Sequence, residues 1–391
     1  MISPFICYTL SFFVVMLVYL LGWSELYPKL SWSLIFFLVG TLVVHIVCHW
    51  ITVRKNFISF RKLETEKLPL VGTTIFIYIL WVVEFIYEGG IPLVKILLQQ
   101  PYNYRMFGVP SLHVFVVTFS SFFTVYLFHL WRSNKSKLVL ILYIVNLSAA
   151  LLIYSRAMLY FNITASIIVY LLSLKRIPYS RMGLIVIIIV PLFYLFGVLG
   201  SLRISREAHQ SYNNENFMDT GKASTSFRQS FIPKEYFWTY IYVSSSLANL
   251  QYNIERNPNP KFTPSRLFWA GVYECFPDFI TKRIHALRGT GPPKEYRIAF
   301  SFNVSTIYSR SYSYSRWPGI ILIAVFIILL PWLFLKILDR QSDFFITGWA
   351  ILCTMYFFMS YDNTIRFTGL SFQLVYPLLF GYWEKYFYRK K

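Results

Sequence analysis

Residues 318–335 read PGIILIAVFIILLPWLFL, a run of eighteen residues with no charged side chain. The hydrocarbon core of a bilayer is roughly 30 Å thick, and about 20 apolar helical residues cross it. This run therefore predicts a membrane-spanning helix. Nine further windows have the same character: 4–22, 32–52, 70–87, 111–131, 138–154, 158–174, 182–200, 344–360 and 368–383. The sequence thus predicts an all-α polytopic membrane protein with about ten transmembrane helices.

The composition of the whole chain favours the same fold class. Of 391 residues, 56% are hydrophobic and only 14% are charged, whereas a soluble domain is about 25% charged. The 37 basic and 17 acidic residues give a net charge of +20. In a soluble protein this charge would indicate a nucleic-acid partner, but in so apolar a chain it has to lie in the loops. The composition argues against both a soluble protein and nucleic-acid binding.

Several kinds of site have no sequence signal. Three of the four cysteines fall in apolar runs and Cys275 stands alone in a polar stretch, so neither a disulfide framework nor a metal cluster is predicted. The chain has no Walker-type glycine loop, zincin motif, nucleophile elbow or Cys-x-x-Cys pair. We expect no metal and no cofactor.

The distribution of lysine and arginine predicts the orientation in the membrane. The loops on one side carry 17 basic residues, and the short loops on the other side carry five, namely Lys29, Lys95, Arg105, Arg156 and Arg366. Basic residues in short loops stay in the cytoplasm. Both termini are therefore predicted to be cytoplasmic. The first apolar run has no basic segment before it and no cleavage site after it, so we interpret it as a span rather than a signal peptide.

One long loop divides the chain into three parts. These are the first seven spans (1–200), a large extracytoplasmic loop (201–317) and the last three spans (318–391). The loop is basic and rich in Tyr and Trp, and it is too long to obey the charge rule. Within it, 235–254 and 263–287 have the pattern of amphipathic helices.

Arginines near the outer membrane boundary are the main functional signal. Arg156 interrupts an apolar stretch, Arg203 and Arg206 follow the seventh span, and Arg366 lies before the last span. Charges at such positions are costly and often functional. One guanidinium group can donate two parallel hydrogen bonds to phosphate oxygens. These arginines together could therefore hold a lipid pyrophosphate. The alternative that each one snorkels to the interface or pairs with a local carboxylate stays open.

A general base would have to come from the same face of the membrane. Helical spacing would place Arg203, Arg206 and Glu207 together, so Glu207 could orient an arginine or accept a proton. The other candidates are His113, His209, Glu274, Asp278 and Asp362. None of them has a diagnostic spacing.

Three segments resemble the Wzy-type oligosaccharide repeat-unit polymerases of bacterial surface polysaccharide pathways. Residues 107–113 (FGVPSLH) are similar to a segment before the fourth span of that family. Ser155-Arg156-Ala157 resembles a turn shared with O-antigen ligases, and Gly200-Ser201-Leu202-Arg203 resembles the start of the large loop. Residues 303–319 are similar to the polar segment before the next span, although Arg316 and Trp317 replace an acidic-aromatic-glycine turn.

The resemblance implies a glycosyltransferase in the bacterial inner membrane with a GT-C-like fold. Such an enzyme transfers a growing glycan from undecaprenyl pyrophosphate to a new lipid-linked repeat unit at the periplasmic face, and a chain-length regulator is a possible partner. The first outer loop holds only Glu25 and lacks the acidic pair common in metal-dependent GT-C enzymes, which favours metal-independent transfer. The carried-over pyrophosphate ligands are Arg156, Arg203, Arg206, Arg105 and Arg366. The candidates for activating the acceptor are Glu207 and His113.

Three other activities are alternatives to a polymerase. An O-antigen ligase would use the same donor with a lipid A core acceptor. A lipid-linked oligosaccharide flippase is disfavoured by the large loop and by the absence of an internal repeat. A membrane acyltransferase would be expected to have a clearer histidine motif.

Overall fold

A computed structural model of the protein describes residues 2–63, 67–102, 107–174, 190–202, 215–257 and 262–387. In these ranges the chain is helical and contains no strand, only an isolated β-bridge between Ser24 and Ala223. Four of the helices are long and apolar enough to cross a membrane: α2 (Trp32–Arg54), α3 (Leu70–Tyr87), α5 (Leu112–Asn134) and α14 (Ser309–Ile337). The prediction of a helical membrane protein is thus confirmed.

Shorter helices account for the rest of the described chain. In the predicted membrane windows they are α1 (Pro4–Tyr19), α6 (Lys137–Leu152), α7 (Arg156–Leu172), α8 (Val190–Leu202), α15 (Phe345–Phe358), α16 (Thr368–Ser371), a 3-10 turn (Phe372–Leu374) and α17 (Val375–Phe387). Between the windows lie α4 (Pro92–Leu97), α9 (Glu215–Thr220), α10 (Thr225–Arg228), α11 (Tyr236–Arg256), α12 (Pro264–Glu274) and α13 (Asp278–Arg288). Part of the predicted window 182–200 lies outside the described residues.

The outward faces of the long helices are apolar. On α14 an exposed stripe recurs at every fourth residue: Ile321, Val325, Leu329, Leu333 and Ile337. At 1.5 Å per residue this stripe is about 24 Å long, close to the thickness of a bilayer core. Soluble proteins rarely expose so large an apolar surface. Lipid is the solvent that this surface fits.

Helix α15 lies at the centre of the bundle. All residues from Phe345 to Tyr356 are buried, and the helix packs against α1, α5 and α7. A helix that is hydrophobic all round has no preferred outward face, so burial on every side is its stable position. The loop that follows α15 is thereby fixed against α1 and α7, through a Ser360–Ser11 hydrogen bond and the Phe367 and Phe161 rings.

Helix α14 is interrupted near its N-terminal end. Ser315 and Arg316 have non-helical backbone angles, and Arg316 has a positive φ of 55°. The residues that follow double back so closely that a Cβ on Gly319 would overlap the carbonyl group of Ser311. The predicted start of the span at residue 318 therefore corresponds to a break, and a short helical segment of the loop precedes it.

The loops predicted to be cytoplasmic meet at the other end of the bundle. The Asp343 carboxylate lies 3.7 Å from the Arg61 guanidinium and 3.7 Å from the Lys67 ammonium group. Glu384 accepts hydrogen bonds from the Ser342 hydroxyl at 2.8 Å and from the Asp343 backbone N–H at 3.0 Å. Loops assigned to one side by their charge are thus neighbours in the structure.

Candidate functional site

A polar pocket lies near the start of α14 and the end of α15. Its volume is about 90 Å³. Its walls come from the end of α12, the segment between α13 and α14, the start of α14 and the loop between α15 and α16. The lining residues are Glu274, Glu295, Arg297, Asn303, Ser305, Thr306, Ile307, Arg310, Asp362, Asn363 and Arg366.

Two buried asparagines on one face of α11 hold the segment before α14 in place. Asn249 donates hydrogen bonds to the carbonyl groups of Phe302 and Val304 at 2.7 and 2.6 Å. Asn253 donates to the Ser309 carbonyl group at 2.9 Å and accepts from the Tyr296 N–H at 3.0 Å. Because irregular backbone needs partners for its polar groups when it is buried, these four bonds substitute for secondary structure.

The loop after α15 is fastened to the same unit. The Ile307 N–H donates to the Met359 carbonyl group at 3.0 Å, and the Asp278 N–H donates to the Arg366 carbonyl group at 2.7 Å. The Thr368 hydroxyl donates a short hydrogen bond to the Asp278 carboxylate. The pocket is therefore built from segments that are held against each other by backbone contacts.

The side chain of Arg310 is better buried than that of Arg297. Its Nε lies 3.9 Å from Glu274 Oε1, and its Nη2 lies 3.5 Å from Glu295 Oε2. The guanidinium of Arg297 contacts the same Glu295 oxygen at 3.1 Å. Glu295 thus holds the two guanidinium groups side by side, and both line the pocket with N–H donors.

Glu274 is 1% exposed and bonded on one side only. The Asn363 side-chain amide donates to Glu274 Oε2 at 3.0 Å, whereas Oε1 has no hydrogen-bond partner among the described residues. Burial raises the pKa of Glu274 to about 8, although Arg310 and Asn363 oppose the shift. Near neutral pH this side chain is therefore largely protonated, which leaves the arginines in excess over carboxylates.

Asp362 faces the pocket. Its side chain is exposed, and the partial loss of hydration among its protein neighbours raises its pKa to about 6. The Asn363 N–H, at 2.7 Å from Oδ1, and Arg310 oppose the shift. A carboxylate with a pKa near the working pH can accept a proton from a hydroxyl group. The pocket thus offers anion ligands and a base in one place.

Two of the arginines predicted from the sequence lie at this end of the molecule. Arg366 lines the pocket. Arg156 is exposed at the first position of α7, and it acts electrostatically on Tyr361, the neighbour of Asp362. The Phe161 and Phe367 rings, 5.7 Å apart, join α7 to the loop of Arg366. Arg105, Arg203, Arg206 and Glu207 lie outside the described residues.

His113 does not line the pocket. Its Nδ1 lies 2.8 Å from Oε2 of Glu84, a fully buried residue of α3. The Phe107 and Trp81 rings contact the imidazole edge-on at 5.4 and 6.2 Å. Gly108, with φ of 98°, gives the ring the space it needs, because a Cβ there would overlap it. His113, a predicted base, therefore pairs with the buried carboxyl group of Glu84 and is not part of the pocket.

Sequence reasoning missed Arg297, Arg310 and Glu295 as site residues and Glu84 as the partner of His113. Arg310 had an available signal, since it lies in a Ser- and Tyr-rich segment just before a span, as Arg203 lies just after one. Glu84 interrupts an apolar window and so carries the same signal as Arg156. Arg297 and Glu295 have no signal of this kind, because only the docking of their segment onto α11 places them.

The described residues contain no group of three or more His, Cys, Asp or Glu side chains arranged to hold a metal ion. No protein-family profile matches the chain, and neither the curated proteins nor the solved structures include a match.

Proposed function

We propose that this protein polymerises oligosaccharide repeat units linked to undecaprenyl pyrophosphate at the periplasmic face of the bacterial inner membrane. The observation that supports the proposal most directly is the outer pocket, in which Arg297, Arg310 and Arg366 adjoin Asp362. Clustered guanidinium groups suit a pyrophosphate, and a carboxylate beside them suits a hydroxyl acceptor.

The chemistry requires a leaving group, a base and no further reagent. The bond between the anomeric carbon of the growing glycan and the pyrophosphate oxygen breaks, and a bond to the acceptor hydroxyl oxygen forms. The proton of that hydroxyl passes to Asp362. Negative charge grows on the departing pyrophosphate, and the arginines neutralise it, which lowers the barrier. Arg156, Arg105, Arg203 and Arg206 are proposed to extend the anion site, and Glu207 and His113 are the other candidate bases.

The proposal includes a topology. It has ten spans, a periplasmic loop over 201–317 and cytoplasmic termini, with a GT-C-like arrangement and metal-independent transfer. A chain-length regulator would bind the same protein. The neighbouring basic loops around Asp343 and the pocket at the opposite end agree with this arrangement.

The test is gel analysis of lipid-linked and surface glycan in a deletion strain complemented with variants. Arg310→Ala should abolish long polymer, with about a 100-fold loss of transfer, because a transition-state charge loses its ligand. Arg203→Ala should insert normally and give the same result. Arg340→Ala, at the opposite end of the molecule, serves as the matched control and should restore wild-type chain length.

The deletion strain separates the related activities. Loss of a polymerase leaves single repeat units on the surface lipid, whereas loss of a ligase or of a flippase leaves none. A glycan ladder that survives deletion would contradict the proposal, and so would wild-type chain length in both arginine variants.

A further inference from the structure

The helical hairpin of residues 262–288, made of α12 and α13, exposes large apolar side chains. Phe268 is 62% exposed, and Phe262 and Phe276, on either side of α12, are 53% and 51% exposed. Ile280 and Leu287, seven residues apart on one face of α13, are 41% and 88% exposed. If this segment were surrounded by water, these apolar side chains would be solvated at a cost in free energy, and soluble surfaces rarely carry so many of them together.

The hairpin also adjoins the membrane-spanning part of α14. A Cβ built on Gly271 would lie 3.4 Å from Leu322 Cδ2, and the Tyr273 and Tyr314 rings stack 5.8 Å apart. Leu322 lies six residues after the break at Arg316, which corresponds to about 9 Å along the span. Helix α12 therefore packs against α14 at Leu322, next to Ile321 of the exposed apolar stripe.

Basic and amphipathic side chains flank this face. Lys282 and Arg283 are exposed on α13. The Arg288 guanidinium lies 3.5 Å from the Trp269 ring centroid and donates to the Tyr273 hydroxyl at 3.1 Å. Interfacial amphipathic helices have this composition, with Lys and Arg at the headgroups and Trp, Phe and Leu about 5–10 Å into the boundary with the acyl chains.

We infer that residues 262–288 are embedded in the outer leaflet and place the pocket at the level of the lipid headgroups. Glu274 ends α12 inside the pocket, and Asp278 begins α13 with a backbone bond to Arg366. The pocket therefore opens towards the phosphate layer of the bilayer. Its ligand is a phosphate ester or pyrophosphate anchored in the membrane rather than a soluble sugar nucleotide. The choice of ligand and of the outer leaflet rests on the proposed function, whereas the insertion of the hairpin into the bilayer does not.

Insertion can be measured on the full chain in liposomes of phosphatidylethanolamine and phosphatidylglycerol. The four native cysteines are replaced by serine, and a nitroxide is attached after Phe268→Cys, Phe276→Cys or Leu287→Cys. Thr220→Cys, exposed elsewhere in the large loop, is the matched control. At the three hairpin positions, the nitroxide should collide with oxygen several-fold more often than with nickel-EDDA. At Thr220 it should collide with nickel-EDDA more often than with oxygen. Three positions, one on each helix and one in the turn between them, protect the test against one variant that fails to fold.

Equal access of nickel-EDDA to the hairpin labels and to the Thr220 label would overturn the inference. A second measurement concerns the ligand. Phe268→Asn should lower the yield of long polymer about tenfold or more, and Phe268→Leu should restore it, because only the apolar contact is needed. If the labels are buried in lipid but a glycan ladder survives deletion of the gene, the proposed function fails and the insertion stands.

Discussion

Glu274 shows what it costs to bury a charge next to the arginines of the pocket. Its carboxyl group has lost its hydration, and one of its oxygens has no hydrogen-bond partner among the described residues. Arg310 and Asn363 recover only part of that loss, so the pKa stays near 8. The protonated form is therefore the cheaper one in the folded state, and the stability of the protein should depend on pH.

The first prediction concerns this dependence. The folded pKa of Glu274 is raised from 4.5 to about 8, so protonation stabilises the fold below about pH 4.5, and that contribution is lost as the pH rises through 8. The melting temperature of the detergent-solubilised protein should fall over this range, and Glu274→Gln should flatten the slope. Glu25→Gln, at an exposed position, is the control. An unchanged slope in Glu274→Gln would show that another group is responsible.

The second prediction concerns the stability contributed by the space around His113, which does not line the pocket. Gly108→Ala puts a Cβ into the space of the imidazole and a side chain at φ of 98°, which should cost about 1–3 kcal/mol of stability. Gly291→Ala, which meets no atom within 4 Å, should leave the melting temperature unchanged. Thermal unfolding measures both variants. Equal melting temperatures would mean that the ring moves aside without loss.

Among the elements, α11 and α14 depend on each other. The segment between α13 and α14 can pack without regular structure because Asn249 and Asn253 of α11 supply its backbone with hydrogen-bond partners. The break at Ser315 and Arg316 then turns the chain into the span and leaves Arg310 at the pocket. Interrupted membrane helices are tolerated where the irregular backbone is buried in protein.

The third prediction tests that break. Gly319→Ala forces the span away from the Ser311 carbonyl group and should shift the segment that carries Arg310. We expect long polymer to be lost while the protein still reaches the membrane, with a stability cost of about 1–3 kcal/mol. Gly271→Ala, whose Cβ would make only ordinary contact with Leu322, is the control. Wild-type chain length in Gly319→Ala would show that the close approach is not needed for activity.

At the scale of the whole molecule, the helices could be predicted from the sequence more completely than the site could. Every window contains helix in its described part. A spanning helix needs only an apolar run of about 20 residues, which can be recognised wherever it lies in the sequence. The pocket depends instead on tertiary contacts, such as Asn253 with the segment of Tyr296. Arg366 was predicted from its position beside a span. Arg297 was not, since its place follows from how the large loop folds.

The fourth prediction is the topology itself, on which the proposed function depends. If the loops around Asp343 are cytoplasmic, a cysteine at Lys137 should react with a membrane-impermeant maleimide only after lysis. A cysteine at Thr220, in the large loop, should react in intact spheroplasts. An epitope tag after residue 391 should also be hidden from outside reagents. The pocket and the basic loops lie at opposite ends of the bundle. Locating one of them on a side of the membrane therefore locates the other on the opposite side. Labelling of Lys137→Cys in intact spheroplasts would put the pocket in the cytoplasm, where a periplasmic glycan acceptor cannot reach it.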